Sequence, residues 1–305
     1  MVKVGLIGAE TLLAGEIIRI LTNHPDTEIV SLYAPSVLGH NISTVHHGMI
    51  GEPSLFFSDK INPEEIDFLI IADKTEVGDK IISQLLNWDH LKVAVLENLI
   101  NPSLENFEIG LSEINRKALV RGAKYAFIPS PVLVPASIAL FPLAHYLILN
   151  SDINIEVVLP ADVSESLEEN REASYLEALL KKYQVSFNGE VKLIIQSDHQ
   201  NERGASTRII FKNSLPLTEI ENIYNSIYDD HNFTYITRNP ISPKEVEGTQ
   251  KVILQLTKPQ PDILEINIVS DARMRGAAGD IVHIMNLFFG LHEKTGLRLK
   301  PSRYI

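Results

Sequence analysis

The sequence predicts an α/β protein with a doubly wound N-terminal domain and a second domain of α+β type. Three observations predict it. Val2–Ile7 is a short apolar run ending at Gly8, an amphipathic stretch from Thr11 to Leu21 follows it, and Glu28–Tyr33 reads as a second strand; this is the opening βαβ unit of a parallel sheet. After Asn150 the pattern changes to several strands with few helices between them, which suits a mixed or antiparallel sheet. At 305 residues, the chain is long for one core and suits two domains.

The remaining elements follow in order. Asp67–Ala72 and Val93–Leu96 read as buried strands, with an amphipathic helix, Glu76–Leu86, between them. Tyr125–Ile128 is another strand. It runs through Pro129, Ser130 and Pro131 into an apolar helix, Val134–Leu149. In the second domain Ile153–Leu159 alternates as a strand, and Ser164–Lys182 reads as one charged helix with Leu167, Tyr175, Leu176, Leu179 and Leu180 as its apolar residues. Val191–Ile195, Arg208–Phe211, Lys251–Leu256 and Leu264–Val269 add strands, and Leu217–Tyr228 adds a helix. A last helix, Gly276–Leu291, is expected to return to the first domain. The expected domains are therefore residues 1–130 with 276–305, and residues 131–275.

In a doubly wound sheet a dinucleotide pyrophosphate rests on the N-terminus of the first helix. The glycine pattern is incomplete here: counting from Gly8, Thr11 and Ala14 stand at the later glycines of Gly-x-x-Gly-x-x-Gly. A Cβ at Thr11 crowds the approach to phosphate, and Glu10 adds a negative charge. Near the other end Gly276, Ala277, Ala278 and Gly279 open the last helix. Four small residues admit a flat ligand or, equally, a close helix–sheet contact. Arg273 and Arg275 flank that turn and could meet an anion or pair with Asp271 or Asp280. His199 and Glu202, beside Arg203 and Gly204, could bind an anion or stand as solvated loop charges. His46 and His47 have no further ligands at recognised spacing, so no metal site is expected.

Composition excludes several classes. Apolar residues make up 45% and charged residues 22%, ordinary for a soluble domain. The net charge of -12 opposes a nucleic-acid surface, which needs clustered Lys and Arg. No apolar run reaches the roughly 20 residues of a membrane-spanning helix. The N-terminal residues lack the long apolar region of a signal peptide, so a cytoplasmic location is expected. There is no cysteine, which removes disulfides, thiolate metal sites and every cysteine nucleophile.

Several segments together resemble one family. Gly8 to Ile29, Val45-His46-His47-Gly48-Met49-Ile50-Gly51, Gly110 to Asn115, Arg203-Gly204 and Val246-Glu247-Gly248-Thr249 resemble landmarks of the N-acetyl-γ-glutamyl-phosphate reductases. The resemblance is densest in Arg275-Gly276-Ala277-Ala278-Gly279 and from Met285 to Leu297. These reductases share a fold superfamily with the aspartate-semialdehyde dehydrogenases. The resemblance implies a Rossmann-like domain binding NADP or NAD at Gly8, Thr11, Gly276, Ala277, Ala278 and Gly279. It also implies a central, semialdehyde-dehydrogenase-type domain used for substrate and dimerisation. The implied chemistry is attack of a cysteine on an acyl phosphate, hydride reduction of the thioester, and a histidine as acid/base.

The sequence departs from that pattern wherever the chemistry needs a particular atom. The family's Asn-Pro-Gly-Cys-Tyr-Pro-Thr segment is replaced by Pro129 to Ser137, which puts Leu133 or Pro131 at the nucleophile, depending on which proline is aligned. Ser130 is the nearest hydroxyl in sequence. The second histidine of a His-Arg-His segment becomes Glu172, after Arg171. The Ser-Gly-x-x-Gly loop is replaced by Pro160-Ala161-Asp162-Val163-Ser164-Glu165, and an Arg-Ser pair by Pro35-Ser36. Loss of that arginine removes the usual partner of the NADP 2′-phosphate.

The leading expectation is a non-catalytic member of the family with no working catalytic residues and an accessory or regulatory role in arginine biosynthesis. It would form a homo-oligomer, dimer or tetramer, or a mixed oligomer with an active relative. A second reading is a divergent NAD(P)-dependent oxidoreductase with direct hydride transfer. A third is a small-molecule sensor.

Overall fold

Short apolar strands, buried at nearly every residue in Val2–Ile7 and Phe68–Ile71, produce the core of the first unit. In the computed structural model, which describes residues 1–52, 55–96 and 106–301, strands β1 (Val2–Ile7), β2 (Thr27–Tyr33), β3 (Phe68–Ile71), β4 (Lys92–Leu96), β5 (Glu108–Ile109) and β6 (Tyr125–Ile128) form one parallel sheet in the order β2-β1-β3-β4-β6-β5. Helix α1 (Leu12–Leu21) follows β1, α2 (Glu76–Ser83) follows β3, and α3 (Ser112–Val120) follows β5. Met1–Ser130 and Ala277–Arg298 form this compact unit, and Pro131–Gly276 with residues 299–301 belong to a second. Strands buried on both faces need a layer on each side. Leu69 and Ile71 of β3 pack with Ile81 of α2 on one face. The Phe68 ring meets Phe288 and Phe289 edge-on. These belong to the end of the last helix, Ala278–Phe288, which packs on α1 and α3.

That helix is shorter than the expected span from Gly276 to Leu291. Gly276 and Gly290 both have positive φ, 70° and 63°, so the backbone leaves the helical region at each end. Its Asn286 fastens the residues that follow: Nδ2 donates to the carbonyls of Glu293 and Thr295, at 3.2 and 2.9 Å. Asn286 Oδ1 accepts from Nε2 of buried His24 at 3.0 Å, and His24 Nδ1 accepts the Asp26 amide at 3.2 Å. An acceptor role for Nδ1 requires the neutral ring. Burial holds the His24 pKa below its usual value, against the raising effects of the Asn286 hydrogen bond and the Asp26 charge. A depressed folded-state pKa means the unfolded chain takes up the proton first. The stabilisation is present above about pH 6.5 and is lost as pH falls through the folded-state value. The melting temperature should drop as pH falls below about 6.5, and His24→Gln should remove that component of the drop.

The second unit holds α4 (Leu133–His145), β7 (Ile153–Pro160), α5 (Ala161–Ser164), α6 (Glu169–Tyr183), β8 (Val191–Asp198), β9 (Gly204–Lys212), α7 (Leu217–Tyr228), β10 (Thr234–Thr237), β11 (Val252–Gln260) and β12 (Ile263–Asp271); the helix Ala278–Phe288 is α8. Its sheet runs β10-β11-β12-β9-β7-β8 and is mixed, as expected. The outer pairs β10–β11 and β7–β8 are parallel and the inner pairs antiparallel. Helices α4, α6 and α7 pack on one face. The opposite face carries Glu156, Ile194, Arg208, Ile210 and Tyr235, partly or largely exposed.

Three expectations need correction. The helix expected over Ser164–Lys182 starts only at Glu169, and Ser164 instead ends the short α5, where its hydroxyl donates back to the Ala161 carbonyl and meets Ser197 Oγ of β8 at 2.7 Å. A hydroxyl that bonds to local backbone competes with continuation of the helix. Helix α3 was not expected, since its apolar periodicity is weak and Asn115 interrupts it with φ −134°. Strand β5, at 2 residues, is too short to show a period, and β10, Thr-Tyr-Ile-Thr, lacks the apolar run that marks β3 and β6.

Candidate functional site

The order of the first sheet places β1 between β2 and β3, so the chain reverses its direction of winding beside the carboxyl end of β1. Crevices at such switch points hold ligands in doubly wound folds. Gly8 turns there with φ 78°, and a Cβ at Gly8 would lie 2.4 Å from the Asp73 Cβ in the loop after β3. Close approach of that loop alone therefore requires glycine at this position.

Most backbone donors of the turn are already used. The amides of Gly8 and Ala9 both donate to the Tyr33 carbonyl, at 3.1 and 3.2 Å, and the Thr11 amide donates to the Gly8 carbonyl at 3.1 Å. Thr11 is the N-cap of α1, with Oγ1 accepting the Ala14 amide at 3.2 Å and donating to the Gly8 carbonyl at 2.9 Å. Its side chain thus does the work of a cap. The first-turn amides of Leu12 and Leu13 remain as donors toward an anion, and Leu12 is 70% exposed. His46 has a packing role: Nε2 donates to the Ala9 carbonyl at 2.7 Å, and a Cβ at Gly15 would lie 2.6 Å from its ring. Among the described residues there is no group of three His, Cys, Asp or Glu side chains placed to hold a metal.

Acidic groups stand close to both turns. Glu10 Oε1 accepts the Ser36 hydroxyl at 2.9 Å, while its Oε2 is buried without a hydrogen-bond partner. Ser36 lies in a short 3-10 turn, Pro35–Val37, just beyond β2. Ala278 and Gly279 begin α8, and Ala277 precedes it without a side-chain cap. Buried Asp280 occupies the first turn and supplies the negative charge that a helix N-terminus favours.

In the second unit the arginines near the 271–276 turn are committed to internal partners. Asp271, 0% exposed, accepts from Arg203 Nε at 2.8 Å, from the Arg273 amide at 2.8 Å and from the Gly248 amide at 2.5 Å. The Arg273 side chain takes neither Asp271 nor Asp280, the two partners considered from sequence: it pairs with Asp162 at 2.8 Å and donates to the Glu202 carbonyl at 2.8 Å. Arg275 is fully buried. His199 and Glu202 are exposed. Sequence reasoning missed both Ser36–Glu10 and Asp162–Arg273. The residues are 26 and 111 positions apart, and no periodicity links them.

The positions aligned with the family's nucleophile lie at the start of α4. Pro131 is partly buried, Leu133 is 0% exposed, and Ser130 is buried. Glu172, at the acid/base position, is 1% exposed on α6, which packs against α4. None of Pro131, Leu133 and Glu172 presents a thiol, hydroxyl or imidazole.

Residues 3–121 match the family described as semialdehyde dehydrogenase, NAD binding domain. The whole chain aligns with the whole of an N-acetyl-γ-glutamyl-phosphate reductase from Bacteroides fragilis at 33% identity, and with that from Parabacteroides distasonis at 31%. Among solved structures, a probable aspartate-semialdehyde dehydrogenase from Pseudomonas aeruginosa is similar at TM-score 0.71 and 16% identity, over 94% of this chain and 98% of that one. One with NADP from Candida albicans is similar at TM-score 0.67 and 12% identity, over 95% and 98% of the two chains. At such identities these structures speak to the fold, an α/β fold of semialdehyde-dehydrogenase type.

Proposed function

The chain belongs to the N-acetyl-γ-glutamyl-phosphate reductase family, and we propose that within it this protein is a non-catalytic member without thiol-dependent reductase activity. One observation carries the reading: none of its 305 residues is cysteine. A thioester cannot form without a thiol. Neither residue that can stand at the nucleophile position, Leu133 or Pro131, carries a nucleophilic atom, and the histidine of the acid/base position is replaced by buried Glu172. Removing a nucleophile and its base together costs on the order of a millionfold in rate. The expected result is no acyl-phosphate-dependent oxidation of NADPH, and no semialdehyde-dependent reduction of NADP, above the uncatalysed rate. Clear turnover in either direction would sink the proposal.

The role proposed in its place is accessory or regulatory, in cytoplasmic arginine biosynthesis. The first unit keeps the dinucleotide-binding framework and the second is assigned to oligomerisation. The exposed face of the second sheet supports this: Ile194 and Tyr235 are 51% and 44% exposed, and Arg208 sits among Glu156 and Glu265, 3.6 and 2.9 Å away. Apolar residues around a central charge pattern suit a specific pairing surface. Sedimentation of the chain alone should give a dimer or tetramer. A monomer that pairs only with an active relative would select the mixed oligomer instead.

A second reading, an oxidoreductase that transfers hydride without a covalent intermediate, is favoured by the first-turn amides of Leu12 and Leu13, which remain as donors at the start of α1. NAD(H)-dependent oxidation or reduction of a carbonyl substrate distinguishes it.

A further inference from the structure

The Glu10–Ser36 contact has no role in the reading above, yet it occupies a defined place in the fold. In a doubly wound sheet the adenosine ribose of a dinucleotide lies beyond the carboxyl end of the second strand, beside the turn that follows the first. Ser36 comes from the segment after β2 and Glu10 from the turn after β1, and their side chains are hydrogen-bonded at 2.9 Å. The two groups therefore meet where the ribose hydroxyls would be read.

Their chemistry separates the two forms of the cofactor. A ribose with free 2′- and 3′-hydroxyls offers donors to a carboxylate and can also accept from, or donate to, a serine hydroxyl. A 2′-phosphate offers oxygen acceptors carrying close to two negative charges at neutral pH. Beside Glu10 it would meet like charge and no donor for the carboxylate. Pro35 and Ser36 supply no cation to offset that repulsion. Glu10 Oε2 adds a second observation: it is buried with no hydrogen-bond partner. A buried acceptor left without a donor is unfavourable. Glu10 is itself only partly buried.

We propose that the first unit selects a dinucleotide with an unphosphorylated adenosine ribose, NAD(H) over NADP(H), with Glu10 accepting from the ribose hydroxyls and Ser36 holding Glu10 in place. The pyrophosphate would rest on the free amides of Leu12 and Leu13. This inference concerns binding alone and stands whether or not the protein turns over a substrate.

Titration of the intact protein with NADH and with NADPH, followed by nicotinamide fluorescence and repeated by calorimetry, tests it. NADH should bind at least about tenfold more tightly than NADPH. Glu10→Gln removes the charge but keeps the shape, and should bring the ratio to within about threefold. Adding Ser36→Arg to Glu10→Gln should reverse the preference. Thermal melting of each variant identifies any that fails to fold. Equal or tighter binding of NADPH by the unaltered protein, an unchanged ratio in folded Glu10→Gln, or no binding of either nucleotide at millimolar concentration would each overturn the proposal. The last result would leave the non-catalytic reading intact, and turnover with an acyl phosphate would sink that reading without touching this one.

Discussion

Asp271→Ala is expected to destabilise the second unit by about 3 kcal/mol, within the usual cost of breaking a buried ion pair from one side. Asp271 is fully buried at the end of β12, and its carboxylate serves three donors from three segments: Arg203 Nε before β9, the Gly248 amide before β11, and the Arg273 amide of the following turn. Charge-assisted bonds of this kind contribute more than neutral ones. Removing the carboxylate takes a shared acceptor from two amides and one guanidinium at once. Arg203 keeps 27% side-chain exposure and can turn toward water, which holds the expected loss to the lower part of the range. Asp271→Asn should fall between, since the amide oxygen still accepts but carries no charge. Urea unfolding of the two variants provides the measurement; a loss below about 1 kcal/mol for the alanine would show that the hub is dispensable.

Tyr228→Phe should cost about 2 kcal/mol, and the reason lies in α4. Pro142 sits inside that helix and has no N–H for the carbonyl four residues earlier, that of Ile138. Tyr228 from α7 supplies the missing donor: its hydroxyl reaches the Ile138 carbonyl at 2.6 Å in a buried setting. Tyr224, one turn before, donates to the next carbonyl, that of Ala139. Burial pushes the Tyr224 phenol well above its ordinary range, so it stays protonated and remains a donor in alkaline solution. A carbonyl buried without a partner costs about 1–3 kcal/mol. A double-mutant cycle isolates the coupling. In a Pro142→Ala background the helix amide can serve Ile138, and Tyr228→Phe should then cost less than about 0.5 kcal/mol. Equal losses in both backgrounds would refute the pairing of proline with tyrosine.

The contrast between these two predictions marks how far the sequence could be read. Pro142 inside an apolar helix announces an unsatisfied carbonyl, but nothing in the sequence says that Tyr228, 90 positions away, answers it. The opening βαβ unit was legible because Val2–Ile7 and Glu28–Tyr33 are short, mostly apolar runs with an amphipathic stretch between them. The late start of α6 was not, and the Ser164–Ser197 contact beside it joins residues 33 positions apart. At the candidate site, Gly8 and Thr11 were singled out for a phosphate they would approach or crowd. The structure shows Gly8 yielding to Asp73 and Thr11 capping α1.

What the sequence by itself determined is the absence of thiol chemistry, because a residue type missing from all 305 positions is missing from every possible fold. It also determined the two kinds of sheet, because strand periodicity is local. Only the tertiary structure decided where the charges are spent. Arg273 meets Asp162, Asp271 gathers Arg203 and two amides, and Glu10 meets Ser36 with one oxygen and leaves the other unmatched. Hydrogen bonds and ion pairs act over a few ångströms and require direction, so their partners are fixed by how strands and loops are brought together, and separation along the chain carries no information about them.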